Sequence, residues 1–466
     1  MSKFNYLFKN MGFMFIGNFS SKILVFLLVP VYTNALSTSE YGSYDLMYAT
    51  IQFLVPILSL NVVDGILRFT LDESESKQKA VFTLSLKYIL ISFCLVLFIV
   101  SIFANVFHIQ QFIDYKLEFT LLYLVYILNL ASIQFSRGIG DIKGTAIAGT
   151  LGTFAMIITN LLFLLVFRWG LIGYFIANIF SFTIPVIYLT IRNQLFKYFS
   201  ITELKINKIL EKKVMSFCIP LIFTTLSWTV NNLSDRFIVT FFCGITVNGI
   251  YSIAYKIPAI LNSVQAIFIE AWQISAIKEC QNKSWDVFFY TTYESCHSIM
   301  VILCSFLIIS TKILASILFS NDFFGAWIYV PVLLLYILFN ALSGTIGGVF
   351  TANKDSTAFS KSAIIGVIIN IILNFVLVYY FSAMGAAIAT VFSSIVIWSL
   401  RLFYSKKYLS WNINLVNNVI DYILLAIQAT IMILVDSPIT YLFQVLLLVF
   451  VCIRSFNCLI KIKKNI

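Results

Sequence analysis

Fourteen apolar stretches fill the chain almost end to end, at about 11–35, 43–69, 81–104, 117–136, 145–167, 171–191, 214–242, 248–272, 287–311, 328–350, 363–381, 385–402, 417–435 and 439–458. Most reach the roughly 20 residues that cross the hydrocarbon core of a bilayer as helix. A backbone in lipid must satisfy its own hydrogen bonds, so the segments that cross it are self-contained helices or the strands of a closed barrel, and runs of this length suit helices. With 60% hydrophobic and only 11% charged residues, the 466-residue chain holds more apolar material than a soluble core needs. The expected fold is an all-α membrane protein of about 14 transmembrane helices.

The formal net charge of +11 invites a nucleic-acid reading, but the cations alternate by loop. With the N-terminus placed in the cytoplasm, 24 of the 31 Lys and Arg residues lie inside, four lie within the apolar runs, and only Lys116, Arg168 and Lys312 lie outside. That asymmetry is the positive-inside pattern; it predicts both termini cytoplasmic and no nucleic-acid partner. The first apolar run follows Lys3 and Lys9 as a signal peptide would, yet it is long and lacks a small-residue cleavage pattern, so it reads as an uncleaved first helix. The eight cysteines show no CxxC spacing and none falls in an external loop, which argues against disulfides and structural zinc.

No connection is long enough to hold a soluble domain. The longest, 192–213, is Lys-rich with scattered Glu and reads as an interfacial segment joining two halves. A shift of 207 lays Gly42, Tyr44 and Tyr48 over Gly249, Tyr251 and Tyr255; a shift of 212 lays Gly173, Ala177 and Phe180 over Gly385, Ala389 and Phe392. Six helices thus repeat as six. An even number returns the chain to the same side, so the repeats have parallel topology with the substrate route between them. The expected organisation is an N-terminal six-helix bundle (1–191), a cytoplasmic connecting segment (192–213), a C-terminal six-helix bundle (214–402), and two additional helices with a basic tail (403–466).

The charges inside the apolar runs fall in two blocks. Lys22, Asp64 and Lys87, with Arg68 at a border, form the first; Asp235, Arg236, Lys256, Glu270 and Glu294 form the second. A charge at the bilayer centre costs roughly 2.5–3.5 kcal/mol even on the lenient insertion scale, so such residues face a cavity or a partner. Asp64 and Arg68 stand four apart on one helix face and are expected to pair, as a local or gating ion pair. Asp235 and Arg236 point about 100° apart on a helix and must seek different partners. Glu294 and His297, three apart, share a face; a carboxylate beside an imidazole can carry a coupling proton, or Glu294 can pair with a lysine. Asn18, Asn61, Gln52, Asn231, Asn232, Asn262 and Gln265 add polar groups to helices 1, 2, 7 and 8, marking these as cavity walls, whereas Asn160, Asn178, Asn340, Asn370 and Asn374 are expected mainly to bond neighbouring backbone.

Four segments together resemble a known family: GNFSSKILVFLLVPVYTNALSTSEYGSYDL (17–46), DGILRF (64–69), SDRFIVTFFCGITVNGIYSIAYKIP (234–258) and NIILNFVLVYYFSAMGAAIAT (370–390). They are similar to the polysaccharide flippases, the O-antigen and capsule repeat-unit translocases of the multidrug/oligosaccharidyl-lipid/polysaccharide exporter superfamily. The resemblance spans essentially the whole chain; its patterns are specific as a set and weak singly. It implies a bacterial or archaeal inner-membrane protein that moves a polyprenyl-diphosphate-linked oligosaccharide from the cytoplasmic to the outer leaflet by alternating access, working beside membrane lipid and a polysaccharide polymerase with its chain-length regulator. A diphosphate needs cations in a cavity. Lys22 and Lys256, deep in helices 1 and 8, are the best phosphate ligands unless each instead pairs with a carboxylate; Arg236, Arg68, Asn18 and Asn232 complete the substrate-binding set, and Asp64, Asp235, Glu270, Glu294 and His297 form the gating or ion-coupling set.

There is no GxxxxGK[ST] loop, no HExxH and no loop rich enough in His, Asp and Glu for a catalytic metal, so no cofactor, no metal and no enzyme activity are expected. An integral-membrane polysaccharide polymerase would need a large external loop, and the external loops are short. An ion-coupled drug/cation antiporter of the same superfamily is the nearer alternative, favoured if cavity carboxylates outnumber cations.

Overall fold

The structure is a computed structural model that describes residues 25–71, 73–107, 110–200, 208–279, 285–353, 355–409, 415–435 and 437–465. Every regular element among them is helical, as the apolar runs require. The chain divides into two compact units, Met1–Leu233 and Ser234–Ile466.

In the first unit α1 (Val29–Ala35) leads into α2 (Thr38–Leu58), α3 (Val62–Thr70), α4 (Glu75–Phe107), the short α5 (Gln110–Asp114), α6 (Lys116–Gly138), α7 (Ile142–Asn160) and α8 (Gly170–Arg192). A capping box starts α2: the Ser37 hydroxyl accepts from the Glu40 amide at 3.2 Å, and the Glu40 carboxylate accepts from the Ser37 amide at 2.8 Å. The second predicted span, 43–69, is broken. Leu60 and Asn61 adopt left-handed backbone (φ 52° and 54°), and the two arms meet at 59°. Asn tolerates that conformation better than most residues, and its amide then caps the turn by donating to Asp64 Oδ2 at 2.8 Å. A π-helical turn, Leu161–Val166, ends the helix that precedes α8.

Helix α9 (Lys208–Cys243) contains the division between units. The second unit continues with α10 (Ile245–Ala254), α11 (Pro258–Glu279), α12 (Trp285–Leu318), α13 (Val330–Ala352), α14 (Ser356–Ser405), α15 (Leu415–Leu434) and α16 (Pro438–Asn465). Gly348 lies against Trp272, whose indole N–H donates to the Thr345 carbonyl at 2.8 Å. Small residues that let helices approach are the usual cement where lipid offers no hydrophobic drive. α14 is not one rod. Asn370 Nδ2 reaches Thr390 Oγ1 at 3.5 Å, whereas twenty residues of straight helix span about 30 Å. The chain reverses at Ser382 (φ 55°), between the predicted spans 363–381 and 385–402.

Among the described residues nine helices are long and apolar enough to cross a membrane, or ten with the bent α2–α3 pair counted; the reversal at Ser382 gives α14 the length of two crossings. Two backbone features recur at the offsets read from the sequence. α2 starts at Thr38 and α10 at Ile245, 207 apart; Gly170 (φ 55°) opens α8 and Ser382 (φ 55°) opens the second arm of α14, 212 apart.

Lys87, expected within the membrane, forms an ion pair with Glu211 at 2.7 Å, and the Tyr88 hydroxyl donates to the same carboxylate at 2.7 Å. Glu211 lies in the first turn of α9, ahead of the apolar span, and these two hydrogen bonds hold its carboxyl below the usual Glu range. A depressed carboxyl contributes stability above its unfolded pKa of 4.5 and loses it as pH falls through the lower folded value. Glu211→Gln is therefore expected to cost about 1 kcal/mol at neutral pH and to flatten the loss of melting temperature below pH 4.5. Melting curves of both proteins across that range check it; parallel pH profiles would refute the assignment.

Candidate functional site

A buried polar cluster in the second unit centres on Asp235, 1% exposed. The sequence builds it from three helices. α9 supplies Ser234 and Asp235, α10 and the turn after it supply Tyr251 and Tyr255, and the two arms of α14 supply Asn370, Asn374, Thr390 and Ser393. Tyr251 and Tyr255, one helical turn apart, both donate to Asp235 Oδ2 at 2.9 Å. Thr390 Oγ1 approaches the same oxygen at 3.3 Å and shares its single proton with the Ala386 carbonyl at 2.9 Å. Asn370 Oδ1 accepts from Ser234 at 3.1 Å and from Asn374 Nδ2 at 3.0 Å, while its amide nitrogen reaches Ser393 at 3.3 Å.

Two oxygens in this network have no donor: Asp235 Oδ1 and Asn374 Oδ1. A buried acceptor without a donor is costly, so a carboxylate left half-satisfied is set up to take a cation or a proton. Among the described residues no three His, Cys, Asp or Glu side chains group as a metal site; the ligand atoms here are one carboxylate, amide oxygens and hydroxyls, all hard oxygen donors. Asp235, which the sequence reading put in the gating or ion-coupling set, lies buried at the centre of this cluster. Asn370 and Asn374 were expected to bond mainly to backbone, and only part of that holds: Asn374 does bond the Asn370 carbonyl at 3.0 Å, but Asn370 ties side chains together. Asn160 and Asn178 do bond backbone, to Met156 and Tyr174.

At the repeat-equivalent position of the first unit, Leu28 stands where Asp235 stands in the second, 207 residues on, and is buried. Tyr44 and Tyr48, the counterparts of Tyr251 and Tyr255, stack on each other at 5.9 Å, and Tyr44 meets Tyr174 edge-on at 4.5 Å. One tyrosine pair thus packs in an aromatic cluster, and the pair 207 residues on donates to a carboxylate.

The remaining expected site residues are scattered. Lys22 and Asn18 lie outside the described residues, as do the side chains of Asn232 and Glu270. Lys256 is half-buried in the break between α10 and α11, and Arg236 is half-buried beside Asp235. Asp64 and Arg68 do not pair. Asp64 accepts from Asn61 at 2.8 Å and Thr225 at 3.4 Å at the start of α3, while Arg68 stands in its last turn, an arrangement that suits each charge to the helix dipole. Glu294 is buried and accepts from Asn418 of α15 at 3.1 Å; His297 is buried edge-on to Tyr422 at 5.4 Å. Both contacts reach α15, which also carries Asp421, ion-paired with Arg454 of α16 at 2.6 Å.

One residue that the sequence reading counted among the loop cations is buried in the protein. Arg401, assigned to a cytoplasmic loop, is 3% exposed within α14, donates to the Ser343 carbonyl at 2.9 Å and to Ser362 at 3.2 Å, and stacks on Phe359 at 4.2 Å.

The sequence profile of the "Polysaccharide biosynthesis protein" family matches residues 7–272. Among curated proteins nothing matches in sequence. Two solved structures share the fold at a TM-score of 0.70. One is an inward-facing multidrug resistance MATE family transporter of the MOP superfamily, 13% identical, covering 83% of this chain and 95% of its own. The other is the lipid II flippase MurJ in an inward closed conformation, 16% identical, covering 95% of this chain and 98% of its own. An outward-facing MATE structure follows at 0.61, 13% identical, with 85% and 93% covered.

Proposed function

The chain belongs to the polysaccharide biosynthesis protein family, and we propose that it is a flippase that carries a polyprenyl-diphosphate-linked oligosaccharide repeat unit from the cytoplasmic to the outer leaflet, for O-antigen or capsule synthesis. The fold is that of MOP-superfamily transporters. Equal likeness to a drug exporter and a lipid flippase leaves the substrate class to the family profile, which is the observation that carries the reading. The proposal extends to fourteen crossings, the 1–191, 192–213, 214–402 and 403–466 organisation, both termini in the cytoplasm of an inner-membrane protein, and alternating access between the repeats. Partnership with a polymerase and a chain-length regulator belongs to the same pathway reading.

Lys22 and Lys256 are the proposed diphosphate ligands, with Arg236, Arg68, Asn18 and Asn232 around the headgroup. What supports Lys256 is its place in a helix break, where the chain between α10 and α11 departs from regular helix. Asp235 is the proposed coupling site, because its free oxygen and that of Asn374 can take a proton or a sodium ion in one state and release it in the other. Asp64, Glu270, Glu294 and His297 complete the set as gating groups.

A deletion strain should accumulate a polyprenyl-diphosphate glycan on the cytoplasmic side, read by a lipid-carrier profile; an unchanged profile overturns the flippase reading. Lys22→Ala and Lys256→Ala are each expected to lower export about tenfold or more at normal protein levels, the loss of a charge-assisted hydrogen bond, with arginine at either position retaining most of it. Normal export by both alanine variants would remove these lysines from the site.

A further inference from the structure

The first unit contains a second polar site that the proposed coupling chemistry does not use. Gly65 of α3 lacks the Cβ that would collide with Cys218 of α9, and that close approach sets the last turn of α3 against the first turns of α9. Arg68, Phe69 and Glu73 on one side and Lys213, Ser216 and Phe217 on the other then line a pocket of about 470 Å³. That volume falls in the range of ordinary ligand sites, roughly 300–1,000 Å³.

Its chemistry is asymmetric. Arg68 and Lys213 form no ion pair, although a carboxylate shares the pocket, because Glu73 is held by Lys77 at 2.8 Å. Ser216 spends its proton on the Lys213 carbonyl at 2.9 Å, so the pocket's donors are the two cations. Phe69 and Phe217 meet edge-on at 5.6 Å and give it an apolar wall. Two cations outside any close ion pair, although Lys213 also attracts Glu73, stand beside aromatic rings at helix ends that the cation asymmetry assigns to the cytoplasmic boundary, and they match a headgroup that joins anionic phosphate to an apolar chain.

We propose that this pocket is a cytoplasmic-side reception site for the diphosphate of a prenyl-linked lipid, met before the Lys22 and Lys256 charges deeper in the membrane, with Arg68 the one headgroup ligand common to both. The proposal rests on the flippase reading. Arg68 grips phosphate oxygens with its planar fork, Lys213 supplies a second point charge, and the first isoprene units lie along Phe69 and Phe217. Glu73 opposes binding and sets an upper limit on retention, so that the headgroup can move on.

Binding to the purified full-length protein in phosphatidylcholine nanodiscs tests this, with geranylgeranyl diphosphate and inorganic pyrophosphate as probes. Geranylgeranyl diphosphate is expected to bind more tightly than pyrophosphate. Arg68→Gln and Lys213→Gln should each weaken it about tenfold or more, as the loss of a charge-assisted contact predicts. Glu73→Gln should tighten it severalfold, a gain that misfolding cannot mimic, and Lys79→Gln, whose partner Glu75 is outside the pocket, should change nothing. Wild-type affinity in both Arg68→Gln and Lys213→Gln, or weaker binding in Glu73→Gln, overturns the site. Equal affinity for the two probes overturns the lipid assignment in favour of soluble phosphate. These outcomes are independent of the carrier profile of the deletion strain, so the pocket can fail while the flippase reading stands.

Discussion

Asp235→Asn is expected to leave a folded protein that exports between about 5- and 150-fold more slowly than wild type, the span of a coupling free energy of about 1–3 kcal/mol. The amide keeps an oxygen for the Tyr251 and Tyr255 hydroxyls, which lie 2.9 Å from Oδ2, so the local hydrogen bonds survive. What is lost is the negative charge that would attract a cation to Oδ1, the oxygen with no donor of its own. Asp235→Leu should behave differently. It strands two buried hydroxyls, those of Tyr251 and Tyr255, at about 1–3 kcal/mol each before rearrangement, and the Tyr251–Tyr255 contact at 3.0 Å recovers only part, whereas Thr390 keeps the Ala386 carbonyl as its acceptor. The leucine variant should therefore lose about 4 kcal/mol and fail as folded protein, whereas the asparagine variant melts near wild type. Reconstituted flipping with and without a sodium or proton gradient separates the cases. An asparagine variant that still responds to the gradient would remove Asp235 from coupling.

Much of this architecture was legible because hydropathy and repeat offset are one-dimensional signals. The predicted spans 117–136, 171–191, 328–350 and 417–435 lie within a few residues of α6, α8, α13 and α15, and the 207 offset found from three residues per half also relates the starts of α2 and α10. The resemblance to polysaccharide flippases is borne out by the family profile over more than half the chain. The break at Leu60–Asn61 was not legible, because Pro56 sits inside the helix before it and nothing at the break itself is a strong helix breaker. The Asp64–Arg68 spacing promised an ion pair, but the Asp64 carboxylate instead accepts from Asn61, in the turn that opens α3, and from Thr225 of α9.

The Asp235 site was half legible for a similar reason. Charge in an apolar run is visible along the sequence, so Asp235 stood out, but the neutral Thr390 that reaches it is 155 positions away and the Asn370 that bonds the neighbouring Ser234 is 136 away, the two brought together by the reversal at Ser382. Arg401 failed in the opposite direction. A lone arginine near the end of an apolar run looks like a loop cation, and only the facing Ser343 carbonyl and Phe359 ring show that it is an interior one.

The largest effect on folding is expected at Gly385. A Cβ there would overlap the Leu377 carbonyl and the Val378 amide, backbone atoms of the preceding arm of α14, so relief requires the hairpin itself to open. Overpacking of flexible side chains costs about 1–3 kcal/mol; overlap with a backbone that cannot move aside should exceed that, and Gly385→Ala should leave little monodisperse protein. Its repeat counterpart is milder. At Gly173 the nearest atoms to a new Cβ are Phe163 Cβ and O and Trp169 Cβ at 3.1 Å, so a shift of a few tenths of an ångström suffices, and Gly173→Ala should cost about 1 kcal/mol. Gly149, within α7, has nothing within 4 Å, and Gly149→Ala should gain about 0.5–1 kcal/mol from the lower backbone entropy of alanine in a helix. Size-exclusion yield and melting temperature of the three variants give the ranking. Indistinguishable melts would mean that the two arms of α14 do not pack at Gly385, and the contact between Asn370 and Thr390 that shapes the Asp235 site would fall with it.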